Sequence, residues 1–282
     1  MANSAAAPSF FLPLLTYPDP TPLTALPRAL DFCATLAGHL KIAVHLADIP
    51  HISNLLGDIL VDVDAMIAAA EAQSRTAGSE MIHIVRHQAD RMSIGCEIVE
   101  VTGRPELAGD SLSRLARTSD YTLLLTSHED GASHGLAEAV IFGSGGPALL
   151  FPALDAPSHL EEIAIAWDGS RAAARALHDS VPILKRSGKT LILTARHDKP
   201  IDRTGLAGAQ QFLLGHGIAS SVEELPETSQ EIGQLLQRAA LDRGCGLLIM
   251  GAYGHSRFRE FVLGGATRAV LAHQQITVLL SH

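Results

Sequence analysis

The sequence has few cysteines and no long apolar run, and each absence argues against a class of protein. Its 282 residues include three cysteines, Cys33, Cys96 and Cys245, which lie far apart without a C-x-x-C spacing. This pattern disfavours a disulfide framework or a zinc ribbon and fits a reducing compartment. No segment approaches the roughly 20 apolar residues of a membrane-spanning helix, and residues 1–8 show no basic segment ahead of an apolar run. We therefore predict a cytoplasmic protein without a membrane partner.

Basic residues are also scarce. Lys and Arg number 21 against 30 Asp and Glu, which gives a formal net charge of -9. A nucleic-acid backbone or an anionic membrane would be repelled on average, so no nucleic-acid partner is expected. Apolar residues make up 47% of the chain, which is enough to form the cores of one large or two ordinary domains.

Metal-binding motifs are missing as well. The 14 histidines are scattered and form neither a tract nor an H-E-x-x-H motif. His83 and His87 stand four residues apart on a helical pattern, but no third ligand lies near them in sequence. An exposed helix face is the simpler interpretation of this pair, and we predict no metal site.

The chain divides almost in half at the turn-rich segment 152–158. In both halves, apolar strand-like runs alternate with helical patterns. Strands are predicted at 10–15, 42–46, 96–101, 122–125 and 148–150 in the first half, and at 163–167, 190–195, 219–223, 247–250 and 276–280 in the second. Helices are predicted at 24–40, 56–90, 107–118, 136–142, 170–184, 205–214, 229–243 and 267–273. The predicted domains are therefore 1–154 and 155–282, two copies of one unit.

Strands that are separated by helices of ten or more residues pair in parallel through right-handed crossovers. The predicted fold class is therefore α/β, with two tandem doubly wound domains, each a five-stranded parallel open sheet flanked by helices. Ligands of such sheets bind at the carboxyl ends of the strands, where the strand order reverses. Functional residues are therefore expected just after Trp167, Ala195 and Met250.

A glycine pattern in the second half is typical of phosphate binding. Gly251 and Gly254 follow the strand at 247–250, and nine residues later Gly264 and Gly265 open a helix. Glycines leave backbone N–H groups uncovered, and the first N–H groups of a helix attract phosphate. Thr267 would add a hydroxyl donor. The alternative interpretation is that these glycines are ordinary turn and cap residues of an α/β domain.

This pattern resembles the universal stress protein family. Its nucleotide-binding members carry Gly, two residues, Gly, nine residues, Gly and then Ser or Thr, and Gly251, Gly254 and Gly264 match that spacing. Asp168-Gly169-Ser170 follows the first strand of this half, where the family places an Asp-Gly-Ser. The resemblance covers about 120 residues in detail. It implies an adenine nucleotide alpha hydrolase-like fold in a tandem member of the family.

The resemblance also implies a binding site for ATP or another adenine nucleotide, with or without Mg²⁺. The implied adenine pocket is lined by Met250 and Ala195, with Ala166 nearby. Asp168 would contact the nucleoside, and the phosphates would lie against Gly264, Gly265, Ala266 and Thr267. One departure is that Gly265 stands where the family has Ser or Thr, which removes a hydroxyl donor to phosphate.

The first half lacks the phosphate loop. Aligning 120–126 with 245–251 places Thr126 and Glu129 where the glycines would be. This half is therefore interpreted as a degenerate copy of the unit. It would pack against the second half as an internal pseudo-dimer, and a further dimer of whole chains is left open.

Strong catalysis is not expected. Asp168 has no Lys, His or second acid beside it, and the phosphate-loop motif G-x-x-x-x-G-K-[ST] does not occur. The predicted function is a stress-response protein that binds an adenine nucleotide in its C-terminal domain, as a sensor or regulator with at most weak ATP hydrolysis. One alternative is a scaffold that binds no nucleotide and acts through protein contacts. Another is a serine hydrolase using Ser133, since Gly131-Ala-Ser133-His-Gly135 matches the G-x-S-x-G motif.

Overall fold

In the computed structural model, which describes residues 7–50, 62–127, 131–195, 202–226, 231–252 and 265–282, ten strands form one sheet. The strands are β1 (Ser9–Leu15), β2 (His39–Ala47), β3 (Cys96–Gly103), β4 (Tyr121–Thr126), β5 (Ala148–Pro152), β6 (Glu162–Ala166), β7 (Lys189–Ala195), β8 (Ser220–Leu225), β9 (Leu247–Gly251) and β10 (Thr277–Ser281). The helices are α1 (Leu26–Thr35), α2 (Val63–Arg91), α3 (Ala108–Ala116), α4 (Gly131–Gly143), α5 (Arg171–Leu184), α6 (Arg203–Gly215), α7 (Ile232–Asp242) and α8 (Gly265–Ala272).

The strand order shows the same unit twice. The order across the sheet is β3-β2-β1-β4-β5-β10-β9-β6-β7-β8. Within each half all neighbouring strands are parallel, and each half repeats the order third, second, first, fourth, fifth. The predicted fold class, two doubly wound five-stranded units in tandem, is confirmed.

The two halves join through β5 and β10, which pair antiparallel. Leu149 stands opposite Leu279, while Ala148 faces Leu280 and Leu150 faces Val278. A two-fold axis between Leu149 and Leu279 exchanges these pairs. The halves therefore meet in the way that the two subunits of a symmetric dimer do.

The helices cover the sheet in two layers. We call the side that carries α1, α2, α5 and α6 the α5 face, and the side that carries α3, α4, α7 and α8 the α8 face. Because side chains alternate along a strand, Ile165 and Ile249 lie on the α5 face, whereas Ala164 and Leu248 lie on the α8 face. Both sides are buried and apolar, as parallel sheets require.

Polar side chains cap the first turns of two helices in the second half. The hydroxyl of Ser170 accepts a hydrogen bond from the N–H of Ala173 at 3.1 Å, and the carboxylate of Asp202 accepts one from Thr204 at 3.1 Å. These caps satisfy N–H groups that have no partner within the helix. No helix among the described residues is long and apolar enough to span a membrane.

Several predicted helices have different bounds in the structure. The helix predicted at 56–90 begins at Val63, and residues 56–61 lie outside the described residues. The helix predicted at 24–40 ends at Thr35, because Ala37 adopts a left-handed conformation (φ 52°) and the chain then enters β2. The helix predicted at 136–142 begins five residues earlier, at Gly131, so the G-x-S-x-G segment 131–135 forms the start of α4.

Candidate functional site

The candidate site lies at the carboxyl ends of the strands in the second half. β6 is flanked by β7 on one side and by β9 on the other, and the first crossover helix, α5, leads from β6 to β7. The strand order therefore reverses between β6 and β9, which is where doubly wound sheets bind ligands.

Four of the predicted site residues share one face of the sheet at this edge. Ala166 ends β6, Ala195 ends β7 and Met250 lies next to the end of β9, and all three are on the α8 face. Ala166, Ala195 and Ala266 of α8 are half-buried and pack against the cluster that contains the buried Met250. These three side chains are single methyl groups, so this edge of the α8 face is apolar and only partly covered among the described residues. We call this partly covered apolar surface the recess.

Asp168 lies just beyond β6 and is exposed. One of its carboxylate oxygens accepts a hydrogen bond from the N–H of Ser170 at 2.9 Å. Gly169, with φ +74°, makes the turn that this bond requires. The carboxylate is thus held at the edge of the site by the start of α5.

Gly251 has a packing role that the sequence interpretation missed. A Cβ at this position would lie 2.4 Å from the backbone of both Ala172 and Ala173. The absence of a side chain therefore lets the start of α5 approach the end of β9. This close helix–strand contact fixes the start of α5 beside the carboxyl end of β9. The predicted exposure of the Gly251 backbone N–H to phosphate stays a prediction.

The N-terminus of α8 is the described part of the predicted phosphate site. Gly265 is exposed, and a Cβ there would meet no described residue within 4 Å. Ala266 is half-buried and Thr267 is 1% exposed, so solvent reaches Gly265 and Ala266 but hardly Thr267. Gly254 and Gly264 lie outside the described residues.

The strand pairing shows which residues of the first half correspond to this site. β1 begins its pairing with β4 at Phe10 and Tyr121, and β6 begins its pairing with β9 at Ile163 and Leu247. The pairs formed with β2 and β7 give the same correspondence. The equivalent positions are Pro13 for Ala166, His45 for Ala195, Leu124 for Met250 and Leu125 for Gly251.

Larger side chains therefore fill the first-half counterpart of the recess. His45 is 3% exposed and stands where the second half has Ala195. The sequence alignment that placed Thr126 opposite Gly251 is one residue out of register, since Leu125 occupies that position. Glu129 lies outside the described residues. His45 thus occupies a position that a methyl group holds in the second half, a difference that sequence spacing alone did not reveal.

The ring of His45 is buried, and its Nε2 atom has no hydrogen-bond partner in the described part of the chain. Burial lowers the pKa of His45 below its ordinary value of 6.5. The cause is desolvation, because a charged imidazolium would lose its water without gaining a counter-charge.

We expect this histidine to make the fold less stable in mild acid. Below about pH 6.5 the unfolded chain takes up a proton that folded His45 resists, so the free energy of unfolding should fall as the pH decreases through this range. Urea unfolding at pH 7.5 and pH 5.5 should show a smaller loss in His45→Leu than in the wild-type chain. The exposed His83→Leu is the control and should keep the wild-type pH dependence; an identical pH dependence in His45→Leu would contradict the assignment.

The remaining motifs do not form sites in the structure. Ser133 lies in the first turn of α4, is 4% exposed and exchanges hydrogen bonds with the backbone of Ser127 at 3.3 and 3.4 Å. A nucleophile elbow needs an exposed serine on a strand-to-helix turn, so this geometry does not fit a serine hydrolase. His83 and His87 are exposed on α2, and no group of three metal-ligating side chains occurs among the described residues.

A separate cavity of about 470 Å³ lies at the opposite, amino-terminal edge of β6, β7 and β8. Its charges are paired: Lys189 bonds Glu162 at 2.6 Å, and Arg243 makes two 2.7 Å bonds to Glu223. The Arg243 guanidinium lowers the pKa of the Glu223 carboxyl by hydrogen bonding. Among the described residues that line this cavity, both cations are matched by anions, which leaves no unbalanced charge to bind an ionic ligand.

Comparison with known proteins gives the fold. No protein-family model and no curated protein matches the chain. A universal stress protein from Archaeoglobus fulgidus superimposes over 98% of this chain and 96% of its own, with a TM-score of 0.71 and 18% identity. A putative universal stress protein from Pseudomonas aeruginosa UCBPP-PA14 covers 98% and 93%, with a TM-score of 0.59 and 14% identity. A functionally unknown protein from Pseudomonas aeruginosa PAO1 covers 96% and 92%, with a TM-score of 0.57 and 13% identity. The chain therefore has the tandem fold found in universal stress proteins.

Proposed function

We propose that the chain is a stress-response protein whose second unit, residues 155–282, binds ATP or a related adenine nucleotide. The first unit, residues 1–154, binds none and serves as a packing partner. In this proposal the nucleotide acts as a signal that changes the stability and conformation of the protein. The link to stress rests on the shared fold, which is an argument by analogy.

The observation that carries the proposal is the recess at the carboxyl edge of the second half. Three alanines and Met250 line it on the α8 face, at the switch point of the sheet. An adenine ring is flat and apolar on its faces, so it fits against small side chains that leave room beside a sheet. The first half has the same strands but not the recess, because buried Pro13 and His45 stand where the second half has Ala166 and Ala195.

The start of α8 suits the phosphates. Helix N-termini carry unpaired N–H groups and the positive end of the helix dipole, and exposed Gly265 leaves them uncovered. The glycine spacing from Gly251 to Gly264 in the sequence is the second support, because it matches the pattern of nucleotide-binding universal stress proteins. Mg²⁺, where present, would be held by the nucleotide phosphates.

The chemistry of the site favours nucleotide binding over ATP hydrolysis. Asp168 is tied to the turn before α5 through Ser170, and rapid phosphoryl transfer needs a positioned base and cations around the γ-phosphate. At most slow ATP hydrolysis is therefore expected.

Calorimetric titration with ATP, AMP and GTP tests the proposal. ATP should bind with measurable heat and raise the unfolding temperature. A ligand at 100 times its Kd stabilises a folded protein by about 2.7 kcal/mol. If millimolar ATP and AMP give neither heat nor a thermal shift, the scaffold alternative replaces this proposal.

Exchanging Gly265 for serine should strengthen binding. The position is open and its backbone is not left-handed, so a hydroxyl can be added without strain. A hydrogen bond to a charged group contributes about 1.5 kcal/mol, so ATP affinity should rise about tenfold. Gly265→Ala, which adds a side chain without a hydroxyl, is the matched control and should bind as the wild type does. Equal affinities of the serine and alanine variants would show that no phosphate approaches this position.

A further inference from the structure

A buried amide connects the end of α8 with the first half of the chain. Gln274, 1% exposed, follows α8 and donates from Nε2 to the carbonyls of Leu150 at 2.8 Å and Ile276 at 2.9 Å. Its Oε1 accepts a hydrogen bond from the hydroxyl of Thr126 at 2.7 Å. Thr126 and Leu150 belong to β4 and β5, so this side chain crosses the boundary between the two halves.

A second buried amide holds the same turn from the other side. Gln237 of α7 is fully buried; its Nε2 donates to the carbonyl of His273 at 3.1 Å, and its Oε1 accepts from the N–H of Gln275 at 2.7 Å. Near the other end of α8, Gly233 allows close packing, since a Cβ there would lie 2.4 Å from the carbonyl oxygen of Ala266. α8 is thus held at both ends and can shift only as a unit with its neighbours.

We call the hydrogen bonds of Gln274 to Thr126 and Leu150 the bridge. The symmetry-related position has no counterpart of this bridge. The two-fold axis between β5 and β10 makes Ser144 the equivalent of Gln274. The hydroxyl of Ser144 bonds locally, to the carbonyl and the N–H of Gly146 at 3.2 and 3.3 Å. Of these two positions, only the one that follows the predicted phosphate helix reaches across to the other half.

We propose that α8 relays nucleotide occupancy to the first half through the contact between Gln274 and Thr126. This inference rests on the proposed function, because the signal begins when phosphate binds the start of α8. The helix has eight residues and spans about 12 Å. When phosphate orders its N-terminus, the turn at its opposite end, which carries Gln274, becomes ordered as well. Buried hydrogen bonds have no water to replace them, so a displacement of this turn is transmitted to Thr126 rather than absorbed by solvent.

Amide hydrogen exchange measures the relay at its far end. The N–H of Ala153 bonds the carbonyl of Thr126 at 2.7 Å, so its exchange reports on the carboxyl end of β4. In the full-length wild-type chain, saturating ATP should slow exchange at Ala153 by about fivefold or more, the scale of a typical allosteric coupling. Exchange at Ala173, whose N–H bonds Ser170 beside the site, reports ATP binding itself.

Two variants break the contact from opposite sides. In Gln274→Leu and in Thr126→Val, ATP should still slow exchange at Ala173, but the effect at Ala153 should disappear. Thr126→Val removes the hydroxyl and keeps the side-chain shape. It therefore preserves the test if the loss of the amide in Gln274→Leu destabilises the chain. Ser144→Ala is the control and should keep the full effect at Ala153.

The outcomes separate the two proposals. ATP-dependent slowing at Ala173 without slowing at Ala153 in the wild type would overturn the relay and leave the binding site standing. Retention of the full effect at Ala153 in both bridge variants would also overturn the relay. No response at either amide, together with no calorimetric binding, would overturn the proposed function and the relay with it.

Discussion

Replacing Ala195 with leucine is expected to weaken ATP binding by about 100-fold or more, which corresponds to about 2.7 kcal/mol. Ala195 is half-buried at the carboxyl end of β7, on the face of the sheet that α8 covers. A leucine adds three carbon atoms to the recess in which we place adenine, and a closely packed pocket cannot accept both. The effect on stability should stay small, because the position is not fully enclosed in the absence of ligand. Calorimetric titration of both chains with ATP measures the loss.

The matched control for this substitution is Ala239→Leu. Ala239 is also half-buried on the α8 face, but it lies in the last turn of α7, towards the amino-terminal edge of the sheet. It should bind ATP with wild-type affinity. Wild-type affinity in Ala195→Leu, or equal losses in the two variants, would mean that the recess is not where adenine binds.

Adding a methyl group at Gly251 is expected to destabilise the fold by about 3 kcal/mol. The new Cβ would lie 2.4 Å from the backbone of Ala172 and Ala173, and backbone cannot rotate away as a side chain can. α5 would have to separate from β9, which opens the core on that side and displaces Asp168. Urea unfolding followed by circular dichroism measures the change, and ATP binding should weaken as well.

Gly265→Ala controls for the general effect of replacing glycine. A Cβ at Gly265 meets no described residue within 4 Å. The stability of Gly265→Ala should therefore stay within about 0.5 kcal/mol of the wild type. Equal stability of Gly251→Ala and Gly265→Ala would contradict the claim that α5 packs closely against β9 at Gly251.

Much of the fold follows from patterns in the sequence. Apolar runs such as 163–167 and 247–250, set apart by amphipathic helices, require a parallel sheet with helices on both sides. The structure places β6 at Glu162–Ala166 and β9 at Leu247–Gly251, within a residue of these predictions. The antiparallel pairing of β5 with β10 was harder to predict from the sequence, because it depends on which surfaces of the two halves meet after each half has folded.

The candidate site was only partly predictable, for a physical reason. Spacing along one chain segment identifies glycines, but the role of Gly251 depends on how closely α5 approaches it. His45 carries no motif, and its place opposite Ala195 emerges only from the pairing of β1 with β2 and of β6 with β7. Similarly, Thr126 was assigned to a lost phosphate loop, whereas in the structure its hydroxyl bonds Gln274 across the boundary between the halves. Contacts between distant segments decide all three roles.

The stoichiometry of ATP binding tests the central claim most directly. A calorimetric titration of the full-length chain should give one nucleotide per chain, with a change in the fluorescence of the single tryptophan, Trp167, which adjoins Asp168. Ala195→Leu should abolish both signals, and His45→Leu should leave the stoichiometry unchanged. Two nucleotides per chain, or none, would contradict the account of one open and one filled site.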